Sequence, residues 1–193
     1  MRFEAAAAGG PRTVFAGYIL DNKEGGTHID TEYGVIAFES TTGRILWKRR
    51  LCRLRPGQFS SDLHRYGNCI RSFASPPLYH QGTVYYVTNA GAVAALDALS
   101  GQVKWVMRYP YYTHPDRVHD ARRQFGKGGG AAQYTGRFGP GGIKVSPHSP
   151  MFWYGQRPML IGDDLYVLPI DSKFMYKLDR RTGKVQWTSG KPS

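Results

Sequence analysis

Apolar and polar positions alternate in short runs along much of this chain, and glycine- or asparagine-centred breaks separate the runs. The clearest stretch, residues 75–105, reads "SPPLYHQGTVYYVTNAGAVAALDALSGQVKW". An extended lead-in at 77–79 meets a turn at Gln81 and Gly82, and a strand follows over 84–88. Asn89, Ala90 and Gly91 turn the chain into a third strand over 92–96, and Ser100 and Gly101 turn it into a fourth over 102–105. Short β-rich runs bounded by Gly and Asn turns are hairpin signals, so this stretch predicts a four-stranded antiparallel meander. The same order returns over 158–187, with a turn at Gly162, Asp163 and Asp164, a second strand over 165–168 and a third over 174–178. Near the N-terminus the order starts part-way. There 14–20 takes the second-strand place, 21–32 reads as an enlarged loop, 35–38 is a third strand and 44–47 a fourth. No counterpart of "SPPLY" precedes it, so this unit is expected to lack its first strand.

The last turn of each unit is nearly a copy of the others: "FESTTGRILW" ends at Trp47, "LDALSGQVKW" at Trp105 and "LDRRTGKVQW" at Trp187. An acidic residue (Glu39, Asp97, Asp179) stands four positions before a glycine (Gly43, Gly101, Gly183), and a Trp follows that glycine at the fourth position. A hydroxyl residue (Thr42, Ser100, Thr182) precedes each glycine. Glycine supplies a positive φ at the end of a turn without steric cost. The acid at the turn's start accepts backbone N–H groups, and the hydroxyl adds a weaker local bond. The Trp supplies a large ring to bury between neighbouring units. Residues that define a repeat serve packing between copies, so these residues, with the nine acid, glycine and Trp positions as the repeat motif, are read as structural and none is assigned a ligand.

The pattern acid-x-x-hydroxyl-Gly-x-x-x-Trp resembles the pyrroloquinoline-quinone-like propeller repeat. That repeat is the blade motif of quinoprotein dehydrogenases and of the non-catalytic lipoprotein of the outer-membrane barrel-assembly machinery. Asp97, Ser100, Gly101 and Trp105 match it fully, as do Asp179, Thr182, Gly183 and Trp187; the first copy departs at Glu39. The resemblance implies an all-β fold, a β-propeller of four-stranded antiparallel blades. It is present here as a partial propeller of about three blades with long loop insertions, where a full ring holds roughly eight. The expected organisation is one partial propeller domain over 1–193: an incomplete first blade (13–47), a basic insertion (48–72), a second blade (73–105), a Gly-rich insertion (106–149), a third blade (150–187) and the start of a truncated continuation (188–193). The chain reads as a segment of a longer propeller protein, and the other blades of that parent are its first expected partners.

Composition adds constraints on chemistry. The 193 residues carry ordinary hydrophobic content, thirteen Tyr and a formal net charge of +12, so anionic partners have to be considered. No apolar run is long enough for a transmembrane helix, and "MRFEAAAAGG" is not a secretory signal. Export to a periplasm or cell surface is what the family resemblance implies. Two cysteines, Cys52 and Cys69, make neither a disulfide framework nor a CxxC site, and one bridge or two thiols both remain open.

Insertions are where a specific function would sit, because loops carry function while repeated strands carry scaffold. The motif glycines lie 58 and then 82 residues apart, against about 40 for a regular blade. The first insertion brings Lys48, Arg49, Arg50, Arg53, Arg55 and Arg65 near Phe59 and Tyr66. Such a loop fits acidic neighbours within a larger protein better than a nucleic-acid strand, since no nucleic-acid module accompanies the charge. The second insertion contains "HPDRVHDARR", whose His114, Asp116, His119, Arg122 and Arg123 form a candidate loop-binding group. Imidazoles and carboxylates there could ligate a divalent ion, but the spacing is no zinc pattern and a solvated loop is the better reading. "GKGGG" lacks the order of a phosphate-binding P-loop. Asp163 and Asp164 sit in a turn, where Asp is expected.

No catalytic, cofactor-binding or metal residue is assigned in this segment. The leading functional expectation is a non-catalytic propeller that binds protein or polymer partners. The alternative is part of a dehydrogenase oxidising an alcohol or sugar with pyrroloquinoline quinone and calcium; the adjacent Cys-Cys pair of alcohol-oxidising members has no match in Cys52 and Cys69. The third reading is binding of anionic polymers or nucleic acid through the basic loops.

Overall fold

The computed structural model describes residues 2–10, 12–24, 27–54, 75–110, 157–169, 172 and 174–189. These form twelve strands. The first four are β1 (Arg2–Ala8), β2 (Thr13–Glu24), β3 (Thr27–Glu39) and β4 (Ile45–Leu54); the next four are β5 (Leu78–His80), β6 (Thr83–Val87), β7 (Ala92–Asp97) and β8 (Val103–Arg108). The last four are β9 (Met159–Ile161), β10 (Asp164–Val167), β11 (Tyr176–Asp179) and β12 (Val185–Thr188). Each group of four is its own sheet in simple meander order, β1-β2-β3-β4, β5-β6-β7-β8 and β9-β10-β11-β12. The described residues are thus all-β, three successive blades of a partial propeller.

Three boundaries differ from the sequence expectation. The first blade is complete rather than missing a strand: β1 pairs with β2 through Ala8↔Val14 and Ala6↔Ala16. Its sequence "RFEAAAA" is poor in β-branched residues, and sheet pairing overrides that weak preference. The enlarged loop at 21–32 is largely a hairpin, since β2 and β3 stay in register through Asp21↔Thr31 and Asn22↔Asp30. Its polar side chains bond across the strands, Thr31 Oγ1 donating to Asp21 at 2.9 Å and Asn22 Nδ2 to Asp30 at 2.6 Å. Finally, the basic run that opens the 48–72 insertion is strand as far as Leu54, where Thr31 is its partner on β3.

Two apolar layers lie between the sheets. Phe15, Val35 and Ala37 of the first blade pack on Val84, Tyr86, Ala94 and Leu96 of the second. Tyr85, Val87, Val93 and Ala95 of the second pack on Leu165, Val167 and Leu178 of the third. Alternate residues of β6 therefore serve opposite neighbours, which is why "TVYYV" reads as a continuous apolar run instead of an alternating one.

The blade joints as candidate functional site

Each acid-to-glycine turn closes in the same way. The Gly N–H donates to the backbone carbonyl of the acid four residues back, at 2.9 Å for Gly43 and 2.8 Å for both Gly101 and Gly183. Asp97 Oδ1 accepts from the Leu99 N–H (3.1 Å), the Ser100 N–H (2.9 Å) and the Ser100 hydroxyl (2.9 Å). Asp179 repeats this with Arg181 (3.0 Å) and with the N–H and hydroxyl of Thr182 (both 2.8 Å). Hydrogen bonds to the charged form favour it. The Ser100 N–H and hydroxyl accordingly hold Asp97 below the usual carboxylate range, and the Thr182 hydroxyl and N–H do so for Asp179. Glu39, one methylene longer, instead accepts from the Thr42 hydroxyl at 2.5 Å and meets Arg44 Nε at 3.5 Å; the Thr42 bond leads the lowering of its pKa.

The Trp of one blade reaches the turn of the next. Trp47 Nε1 donates to the Ala98 carbonyl at 3.0 Å, and Trp105 Nε1 donates to the Arg180 carbonyl at the same 3.0 Å. Each indole lies flat against the turn glycine: a Cβ on Gly101 would come within 2.6 Å of the Trp47 ring, and one on Gly183 within 2.5 Å of Trp105. These glycines are therefore needed twice, for φ of +68° and +71° and for the ring above them. Gly43 shares the conformation, at φ +71°, but nothing lies within 4 Å of its would-be Cβ. Trp187, identical in motif, is 41% exposed.

Sequence reading missed an aromatic partner for each of the three motif Trp residues. An aromatic on the second strand meets it edge-on or tilted: Phe15 and Trp47 at 5.7 Å between ring centroids, Tyr85 and Trp105 at 6.1 Å, Tyr166 and Trp187 at 6.2 Å. Register places all three alike, two residues after the residue opposite the turn acid: Thr13↔Glu39, Thr83↔Asp97 and Asp164↔Asp179. Unequal hairpins between the two strands hide this constant from the linear sequence.

The basic run on β4 is exposed but engaged in contacts within the chain. Lys48 Nζ stands 4.5 Å over the Tyr18 ring, Arg49 Nε donates to the Gly101 carbonyl at 2.9 Å, and Arg50 pairs with Glu32 at 3.0 Å. Arg53 pairs with the buried Asp30 carboxylate. Cys52 Sγ lies 3.6 Å from the Ala90 carbonyl. Arg55, Arg65, Phe59, Tyr66, Cys69 and the loop group His114, Asp116, His119, Arg122 and Arg123 lie outside the described residues.

A cavity of about 350 Å³ opens at the joint between the second and third blades, with Tyr85 and Trp105 as apolar wall and His80, Lys104, Arg180 and Arg181 around it. No carboxylate among the described residues lines it.

Comparison with known proteins gives one family match. The model of the family described as outer membrane protein assembly factor BamB matches residues 8–118. No curated protein matches the chain. Among solved structures, BamB from Moraxella catarrhalis is 16% identical, with a TM-score of 0.43, over 95% of this chain and 45% of its own. A europium-containing methanol dehydrogenase is 12% identical, with a TM-score of 0.44, over 97% of this chain and 26% of its own. The chain thus spans less than half the length of either. With the family's pattern running from the end of β1 through the whole second blade and beyond, this chain belongs to the outer membrane protein assembly factor BamB family.

Proposed function

We propose that this chain is a segment of a larger exported propeller protein that holds a protein partner in outer-membrane protein assembly, without catalysing a reaction itself. The family match supplies the class of process. The observation that carries the reading is apolar surface at the rim of the first joint, inside the matched region. Leu46 precedes Trp47 and Leu99 follows Ala98, the two residues joined by the indole hydrogen bond. Leu46 is 42% exposed and Leu99 90% exposed. Single exposed leucines are ordinary, but large apolar side chains facing water on both sides of one joint match the surface of a protein interface.

The turn geometry makes a clean test. Thr41, Leu99 and Arg181 occupy the same place, two residues after the turn acid. A photo-crosslinking benzoyl-phenylalanine at position 99 of the full-length parent, in its native cell, is expected to form an adduct with a protein of the outer-membrane assembly machinery. Position 41 is expected to form none. Equal crosslinking from both positions, or none from 99, overturns the reading.

A further inference from the structure

The two joints share one scaffold and differ in charge. Register equates Gly9 with His80, since the Gly9 N–H donates to the Thr13 carbonyl where His80 pairs with Thr83. Leu46 and Lys104 each precede the joint Trp; Ala98 and Leu99 stand where Arg180 and Arg181 stand. At these four places the first joint has Gly, Leu, Ala and Leu and the second has His, Lys, Arg and Arg; the first joint's own cation, Arg49, is bonded to the Gly101 carbonyl. The indole hydrogen bond is 3.0 Å in both, so the fold does not require the cations. From this contrast we infer that the joint between the second and third blades is an oxyanion pocket that takes an acidic side chain of the partner protein. The inference rests on the protein-binding reading above, and names the chemistry the partner brings to this second joint.

The carboxylates nearest the pocket stand outside its lining, each within 4 Å of a cation. Asp163 engages Arg180 at 2.6 Å, and Gln81 accepts from the same guanidinium at 3.3 Å, so Arg180 is a fixed wall with 17% of its side chain exposed. Arg181 stands 3.9 Å from Asp163 and is 73% exposed, and Lys104 stands 3.7 Å from Asp97. Of the three donors on an ammonium, Lys104 places one on the Thr83 hydroxyl at 2.8 Å and a longer one on the Gly82 carbonyl at 3.5 Å. Asp97 and Asp179 already accept from their own turns. Arg181, 73% exposed, and Lys104, 42% exposed, line the cavity together with His80 and the Tyr85 and Trp105 rings. A cavity of about 350 Å³ admits a carboxylate with its methylene stem, the methylenes against the rings.

The test is a titration of the ¹⁵N-labelled full chain with the amidated peptide acetyl-(Glu)₄, read at the Trp105 indole N–H. That signal is assigned by Trp105→Phe and bonds directly to the pocket wall. A saturable shift is expected at low salt, weakening steeply as salt rises because the site is partly exposed. The double variant Lys104→Gln/Arg181→Gln is expected to bind at least tenfold more weakly with an unchanged unfolding midpoint. Acetyl-(Gln)₄ is expected to leave the signal in place. No saturable shift, or equal binding by the cation double variant, overturns the pocket. Inorganic phosphate binding more tightly than the glutamate peptide overturns the carboxylate assignment. Because the titration needs no cellular partner, its failure is separate from a failure to crosslink at Leu99.

Discussion

Gly101→Ala is expected to destabilise the chain by about 3 kcal/mol, and Gly43→Ala by about 1 kcal/mol, in urea unfolding followed by tryptophan fluorescence. Both glycines sit at positive φ, +68° and +71°, where a Cβ costs roughly 1–2 kcal/mol. Only Gly101 carries a ring. Its new methyl would meet Trp47 at 2.6 Å, and that indole cannot swing clear without breaking its 3.0 Å bond to the Ala98 carbonyl. Displacing the ring adds an overpacking cost of about 1–3 kcal/mol. Equal losses at the two glycines would mean that the ring does not rest on the turn.

Trp105→Ala is expected to cost about 3–4 kcal/mol, the lower part of the range for Trp-to-Ala core changes, while Trp187→Ala costs about 1 kcal/mol or less. Trp105 packs beside Tyr85 against the apolar layer shared with the third blade, and it satisfies the Arg180 carbonyl. Trp187 keeps its aromatic neighbour Tyr166 at 6.2 Å but is 41% exposed. The two residues have the same motif and differ in what lies beneath them. Trp105→Phe should fall between, retaining most of the packing and losing about 1 kcal/mol for the hydrogen bond. Similar losses for Trp105→Ala and Trp187→Ala would contradict the joint geometry.

The order of strands in the second and third blades was legible because turn chemistry is local. Gly82, Gly91 and Gly101 have positive φ where the pattern placed turns, and Asn89 does too, at +53°. β1 escaped because "RFEAAAA" offers neither alternation nor β-branched residues, and only pairing with β2 defines it. The 21–32 stretch looked like a loop because it is mostly polar with two central glycines, and cross-strand bonds pair Asn22 with Asp30 and Thr31 with Asp21. The basic run from Lys48 to Arg53 suggested a loop on charge alone, yet its cations serve Tyr18, Gly101, Glu32 and Asp30.

The candidate site was less legible than the scaffold. The nine motif residues were identifiable, but not that a Trp reaches past its own blade, as Trp105 does to Arg180. That relation spans 75 residues and depends on how two sheets face one another. The Leu46/Lys104 and Leu99/Arg181 contrasts gain meaning only once register shows that these residues occupy equivalent places. Within one blade, Lys104 and Arg181 are merely two more charges on a basic chain.

The central claim is a propeller that binds protein and does no chemistry. It is tested most directly by titrating the full-length parent protein with pyrroloquinoline quinone and calcium and assaying dye-linked oxidation of simple alcohols. The account predicts no saturable quinone binding and no turnover above the protein-free control. Micromolar or tighter binding with alcohol-dependent dye reduction would contradict it and make these three blades part of an enzyme.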